Sequence, residues 1–137
     1  MQKIALAFAL SLAATAAYAD DTLLQDMGGK DNVTRIANDT ADNFIADPRV
    51  KPTFDNTNMD RFRVLLAQQF CHVAGGDCTY TGRNMRDTHK GLHLTDADFN
   101  AVVEDVQKAM DKEGVPFATQ NRFLARLAPM QRDIVTK

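Results

Sequence analysis

His89 is the side chain in this sequence best placed to bind a ligand. It lies in the stretch 84–99, which reads NMRDTHKGLHLTDADF. Helical spacing would put Met85, His89 and Leu92 on the inner face of one short helix. Two interpretations are open: a buried neutral imidazole bonded to a backbone carbonyl, or an axial ligand of haem iron whose second ring nitrogen donates to a carbonyl.

A zinc site is a further alternative, because His89 and His93 are four residues apart. Zinc sites on helices use this spacing, as in the HExxH motif, but the glutamate of that motif is absent. A third ligand would have to come from His72, Cys71 or Cys78. We expect His72 to face solvent and His93 to lie at the surface or at a haem edge.

The first 19 residues are typical of a secretory signal peptide. One cation, Lys3, precedes an uncharged run over residues 4–17, and residues 17–19 read Ala-Tyr-Ala, a small-x-small cleavage pattern. The alternative is a membrane anchor, but the run is shorter than the ~20 apolar residues that span a bilayer. We therefore predict a signal peptide at 1–19, a mature domain at 20–137 without a membrane span, and a periplasmic or secreted protein.

The mature chain is slightly acidic and long enough for one core. Cleavage removes one lysine and no acid, which changes the formal net charge from −2 to −3. This balance gives no indication of a nucleic-acid partner. No repeat or Pro/Gly/Ser-rich linker divides the chain, so we expect one domain.

Cys71 and Cys78 are the only cysteines. Export would place them in an oxidising compartment, where an even count favours a disulfide, with two free thiols as the alternative. Gly75 and Gly76 can end a helix between them and turn the chain back so that the sulfurs meet. No CxxCH motif is present, so the usual c-type attachment of haem is excluded.

Helical periodicity dominates the rest of the chain and predicts an all-α domain with about four main helices. The clearest helix begins at Thr95 and Asp98, which resemble a capping box, and ends at Gly114. The other predicted helices run from about Asp31 to Ala46, from Asn58 to Gly75-Gly76, and from Pro116 onward with a bend at Pro129. The polar connection before Thr95 is longer than packing requires, which favours a functional role.

These pieces together resemble a known family. LLQDMGGKDNV, IADPRVKPTF and VAGGDCTYTGRNMRDTHKGLHLTDADF follow in the order and spacing of the bacterial truncated haemoglobins, most closely group I, from Leu23 to Ile134. The resemblance implies a truncated globin fold, a two-over-two helical sandwich around haem. It also implies non-covalent haem b with His89 as the proximal iron ligand.

The resemblance assigns further residues to the haem site. Phe54 would press on the haem face, Phe62, Leu65 and Leu66 would cover the distal side, and Phe99 and Val103 would line the inner wall, where plain core packing is the alternative. Tyr80 and Arg83 would lie near the haem edge, with Arg83 pairing with a propionate. The implied cofactor-binding residues are His89, Phe54, Phe62, Leu66, Tyr80, Arg83, Met85 and Phe99, and His89 is the metal ligand.

The distal side departs from the family pattern. Ala41, preceded by Thr40, stands where group I proteins usually have a tyrosine that hydrogen-bonds oxygen, and the distal helix has Phe62 and Leu66 at often polar positions. The nearest polar candidates are Gln68, Gln69 and Thr40. Without a donor, oxygen should bind weakly and oxidise iron readily, which favours carbon monoxide and nitric oxide and weakens the case for nitric oxide dioxygenase activity.

The sequence therefore predicts an exported haem b protein that binds a diatomic gas, namely oxygen, nitric oxide or carbon monoxide, at iron held by His89. An unidentified electron donor would keep the iron reduced. One alternative is a haem-dependent redox or peroxidase-like enzyme, although no distal histidine or arginine is evident. Another is a haem-free helical module for metal binding or interaction, in which His89 would be replaceable.

Overall fold

A computed structural model describes residues 22–137, and this part of the chain folds into helices without a strand. The seven α-helices are α1 (Leu23–Asp26), α2 (Gly29–Ala46), α3 (Met59–Val73), α4 (Met85–His89), α5 (Asp96–Lys112), α6 (Phe117–Leu127) and α7 (Gln131–Ile134). Short 3₁₀ segments cover Lys51–Phe54 and Ala128–Met130. The prediction of an all-α fold with four main helices is confirmed. The predicted signal peptide lies outside the described residues.

The four long helices form the two-over-two sandwich. α2 packs against both α3 and α5, while α6 contacts α3 and α5. Helical spacing puts Val33, Ile36 and Ala37 of α2 on one buried face, and Phe70 of α3 meets Phe123 of α6 edge-on at 5.1 Å between ring centroids. These contacts close one side of the sandwich and leave room for a cavity on the other. Over residues 22–137, no helix is long and apolar enough to cross a membrane.

Side-chain caps fix where two of the long helices, α3 and α5, begin. Asn58 accepts a hydrogen bond from the backbone N–H of Arg61 at 3.0 Å and starts α3. Thr95 and Asp98 form a reciprocal capping box at the start of α5, as the sequence predicts. The left-handed Gly114, with φ of 73°, follows the last turn of α5.

The C-terminal region differs in detail from the prediction. Instead of one helix bent at Pro129, α6 ends at Leu127, a 3₁₀ turn follows, and α7 is a separate short helix. The proline ring blocks continuous α-helical bonding at this point, which is the physical reason for the break. α4 also ends at His89, so Leu92 lies beyond the helix and is 42% exposed instead of sharing its inner face.

A buried carboxyl group lies where α2 ends against α5. Asp105 is 1% exposed, and its Oδ2 has no hydrogen-bond partner. Burial first, and then the negative charge of Asp47, raise the pKa of Asp105. Hydrogen bonds from the Arg49 side chain and backbone lower the pKa of Asp47 to about 2, so Asp47 stays charged.

We predict that Asp105 makes the fold less stable as pH rises. The folded protein holds the Asp105 proton at pH values where the unfolded chain has lost it, so raising the pH through the folded pKa lowers the free energy of unfolding. Asp105→Asn removes this ionisation. The variant should lose less stability than the natural chain between pH 4 and neutrality, measured as urea midpoints against pH. Parallel midpoint curves for the two proteins would contradict this.

Candidate functional site

A cavity of about 420 Å³ lies between α3 on one side and α4 and α5 on the other. This volume is within the ~300–1,000 Å³ range of ligand pockets. The structure brings all eight residues predicted from the sequence to its lining: His89, Phe54, Phe62, Leu66, Tyr80, Arg83, Met85 and Phe99. Their contact with haem stays a prediction, but they do share one cavity.

The α3 wall of the cavity is mainly apolar and partly aromatic, with Arg61 and Gln69 as its polar members. Phe54 stacks on Phe44 with ring centroids 5.4 Å apart, and it meets Phe62 edge-on at 4.9 Å. Leu65 and Leu66 continue the same wall along α3. A surface of this kind excludes water and suits the face of a large planar apolar ligand.

The opposite wall carries His89. Its Nδ1 is 2.7 Å from the backbone carbonyl oxygen of Met85, one helical turn earlier. A carbonyl oxygen can only accept, so Nδ1 must carry the proton, and in the neutral ring Nε2 keeps a free lone pair. This tautomer leaves Nε2 able to bind a metal ion.

Several contacts hold the short α4 helix in place. Asn84 caps it by accepting from the N–H of Asp87 at 2.8 Å. Arg86 pairs with Asp133 of α7 at 2.8 Å. A five-residue helix is unstable alone, so these neighbours must fix the position of His89.

Exposed arginines lie at the border of the cavity. Arg49 is paired with Asp47 at 2.7 Å and with Glu104 at 2.8 Å. Within residues 22–137, Arg61 and Arg83 line the same cavity and have no carboxylate partner. Both guanidinium groups are therefore available to an anionic part of a ligand.

Of the three polar candidates for the distal side, only Gln69 lines the cavity. Its Nε2 donates to the sulfur of Met85 at 3.2 Å, which is a weak acceptor. Gln68 instead accepts from Thr81, and Thr40 is fully buried with no partner for its hydroxyl. Ala41 is also buried away from the cavity lining.

The zinc alternative receives no support from the geometry. Among residues 22–137, no group of three His, Cys, Asp or Glu side chains could hold a metal ion. His72 and His93 are exposed, and His93 has a positive φ of 53° outside any helix. Cys71 and Cys78 lie with Cα atoms 6.0 Å apart and sulfurs in direct contact, within disulfide reach.

Some lining residues were not among the predicted site residues. Phe44 of α2, together with Met130 and Ile134 near the C terminus, completes the cavity. Helical spacing from Val33 and Ile36 indicates that Phe44 is buried, but it does not distinguish a core position from a cavity wall. Met130 and Ile134 follow a proline-induced break, where periodicity no longer predicts direction.

The comparison with known proteins decides the family. Residues 22–136 match the family model described as "Bacterial-like globin". The chain belongs to the bacterial-like globins. Its relatives place this globin among the truncated haemoglobins, so haem binding and gas binding follow from membership.

Two curated relatives show the extent of the similarity. The group 1 truncated hemoglobin of Tetrahymena pyriformis is 28% identical over 116 residues, covering 85% of this chain and 96% of that protein. The group 1 truncated hemoglobin GlbN of Synechocystis sp. is 30% identical over 99 residues, covering 69% and 80%. The crystal structure of the Tetrahymena pyriformis truncated hemoglobin in the Fe(III) form superposes with a TM-score of 0.81 at 27% identity, covering 84% of this chain and 98% of that one.

We predict that the Asn84 cap controls the order of the His89 helix. Asn84→Ala should destabilise α4 by about 1 kcal/mol, and amide hydrogens of residues 87–89 should exchange about fivefold faster. Asn84→Ser keeps a capping oxygen and is the matched control. Equal exchange rates in the two variants would show that the cap does not hold this helix.

Proposed function

We propose that this globin is an exported protein that holds non-covalent haem b through His89 and binds a diatomic gas at the iron. The observation that carries the proposal is the 2.7 Å contact between His89 Nδ1 and the Met85 carbonyl. It leaves Nε2 unprotonated on a residue that lines the cavity. Haem would supply an iron atom with an open position for oxygen, nitric oxide or carbon monoxide.

The residues of the cavity fit the two kinds of surface that haem b has. The apolar macrocycle matches the Phe54 and Phe62 rings and Leu66, which exclude water from the site. The two propionates match the unpaired guanidinium groups of Arg61 and Arg83, which can bind carboxylates with two parallel hydrogen bonds. Apolar wall and cationic border together orient such a molecule.

The apolar α3 wall also bears on the choice of gas. A donor hydrogen bond would favour oxygen by about 0.5–1.5 kcal/mol, and the wall offers none at Phe62 or Leu66. The amide of Gln69, on the same wall, donates to the Met85 sulfur instead. Carbon monoxide and nitric oxide depend less on such a bond. Weak oxygen binding and ready oxidation of iron follow, so the proposal includes an electron donor of unknown identity.

Export and the disulfide belong to the same proposal. The pattern of residues 1–19 supports cleavage and a periplasmic or secreted protein. In that oxidising compartment the adjacent sulfurs of Cys71 and Cys78 would form a disulfide. Thiol titration of the mature protein before and after reduction tests for the disulfide independently of haem.

We expect His89→Gly to remove the proximal ligand. Removing a hydrogen-bond partner of a metal ligand typically costs ~10–100-fold in metal affinity. Removing the ligand itself should accelerate haem loss from the holoprotein by at least this factor. Added imidazole should restore the absorption spectrum, because it fills the space and supplies the missing nitrogen. The readout is the Soret band of ferric, ferrous and CO-bound protein, followed against time with excess apomyoglobin.

His93→Gly is the matched control, because His93 is four residues away and exposed. It should leave the spectrum and haem retention unchanged. Stoichiometric haem binding that is indifferent to His89→Gly would reject His89 as the ligand. Absence of haem binding by the natural chain would favour the haem-free module.

A distal donor should change gas selectivity. Leu66→Gln places an amide on the α3 wall, and oxygen should then dissociate about 2–10-fold more slowly, from the value of one hydrogen bond. Carbon monoxide dissociation should change less. Flash photolysis and stopped-flow measurements give both rates.

Val64→Gln is the control for this change, because Val64 lies on the same helix and is 58% exposed. Its rates should match those of the natural chain. If Leu66→Gln leaves oxygen dissociation unchanged, or Val64→Gln slows it equally, the wall does not face the bound gas.

A further inference from the structure

Two side chains of α3 fasten the segment that leads to His89. Gln68 and Cys71 are three residues apart on this helix, and Thr81 and Cys78 have the same spacing in the following loop. Gln68 Oε1 accepts from the backbone N–H of Thr81 at 3.0 Å and from its hydroxyl at 2.9 Å. The sulfurs of Cys71 and Cys78 are in contact one turn further along.

The turn between the two cysteines is built around their sulfur atoms. Gly75 has a φ of 84°, which suits glycine, and the N–H of Gly76 donates to the Cys71 carbonyl at 2.9 Å. A Cβ at Gly76 would lie 2.8 Å from the sulfur of Cys71 and 2.9 Å from that of Cys78. A side chain at Gly76 would force these sulfurs and Leu24 to shift, so glycine allows the close approach of this turn to the cysteines.

The fastened loop carries part of the cavity wall. Tyr80 and Arg83 line the cavity, and the Tyr80 hydroxyl donates to the Arg83 carbonyl at 2.7 Å. The N-cap of α4, Asn84, follows immediately, and His89 lies at the end of that helix. Movement of residues 78–83 would therefore move the border of the cavity and the start of the His89 helix together.

We propose that the Cys71–Cys78 and Gln68–Thr81 pairs are positioning contacts that hold the His89 segment, and that reduction of the cysteine pair releases haem. This inference rests on the proposed haem site. A dithiol supplies two electrons and two protons: the bond between the sulfurs breaks, each cysteine becomes a thiol, and the reductant becomes a disulfide. The loop then keeps only the Gln68 contact to α3.

Gln68 allows a selective test, because only its oxygen is used. Gln68→Glu keeps an acceptor at this position, whereas Gln68→Met has a similar shape and lacks it. Loss of haem should be faster in Gln68→Met than in Gln68→Glu. A role limited to filling space would give both variants the same rate.

The experiment measures haem transfer from the ferric holoprotein to excess apomyoglobin, with and without dithiothreitol. Reduction should accelerate transfer about tenfold or more from the natural chain, in line with the loss of a loop-closing cross-link. The double variant Cys71→Ala with Cys78→Ala should lose haem quickly under both conditions. In the ferrous protein, the iron–histidine stretching band of the resonance Raman spectrum should also shift when the cysteine pair is reduced. A general loss of stability would not cause this shift.

A transfer rate indifferent to dithiothreitol, or equal rates for the two Gln68 variants, would overturn the proposal. Reduction is applied to protein that is already folded, so failure of a variant to fold does not decide the outcome. If the natural chain binds no haem, the proposed function fails first. Amide hydrogen exchange over residues 78–89 of the haem-free protein then tests whether the two contacts hold this segment. Faster exchange after reduction of the cysteine pair supports the positioning role, and unchanged exchange rejects it.

Discussion

The hydrogen bond between the His89 ring and the Met85 carbonyl is the contact on which the site depends. It fixes the tautomer and the orientation of the imidazole within a helix of five residues. Because a helix this short is not stable alone, the rest of the structure must support it. Support comes from the Asn84 cap, from Arg86 paired with Asp133, and from the Thr136 and Lys137 N–H groups, which donate to the Leu94 carbonyl.

The two-over-two sandwich explains why this histidine faces a cavity instead of a packed core. α2 is held against α3 and α5, and the stacked rings of Phe44 and Phe54 line the cavity. One wall supplies mainly apolar surface, the other carries the His89 imidazole, and Arg61 and Arg83 place positive charge at the border. The chemistry of the cavity therefore follows from which helix contributes each side.

The sequence predicts much of this arrangement because several signals are local. The Asn58 and Thr95 caps and the spacing of apolar residues set α3 and α5, and both starts are confirmed. Other features depend on tertiary contacts, which the local sequence does not show. Gln69 contacts the sulfurs of two methionines that lie in other segments, and Thr40 is buried away from the cavity. Leu92 lies outside the helix in which its spacing places it. The resemblance, not periodicity, brings His89, Phe54 and Arg83 into one site, since residues so distant in sequence share no local pattern.

The most direct test of the central claim is the resonance Raman spectrum of the ferrous mature protein, recorded with iron of two isotopic masses. With His89 as the iron ligand, the natural chain should give an isotope-sensitive iron–histidine stretching band that is absent from His89→Gly and returns, shifted, with imidazole. A band that depends on His89 in this way would identify His89 as the ligand. A ferrous haem complex without this band, or with a band that survives His89→Gly, would contradict the account.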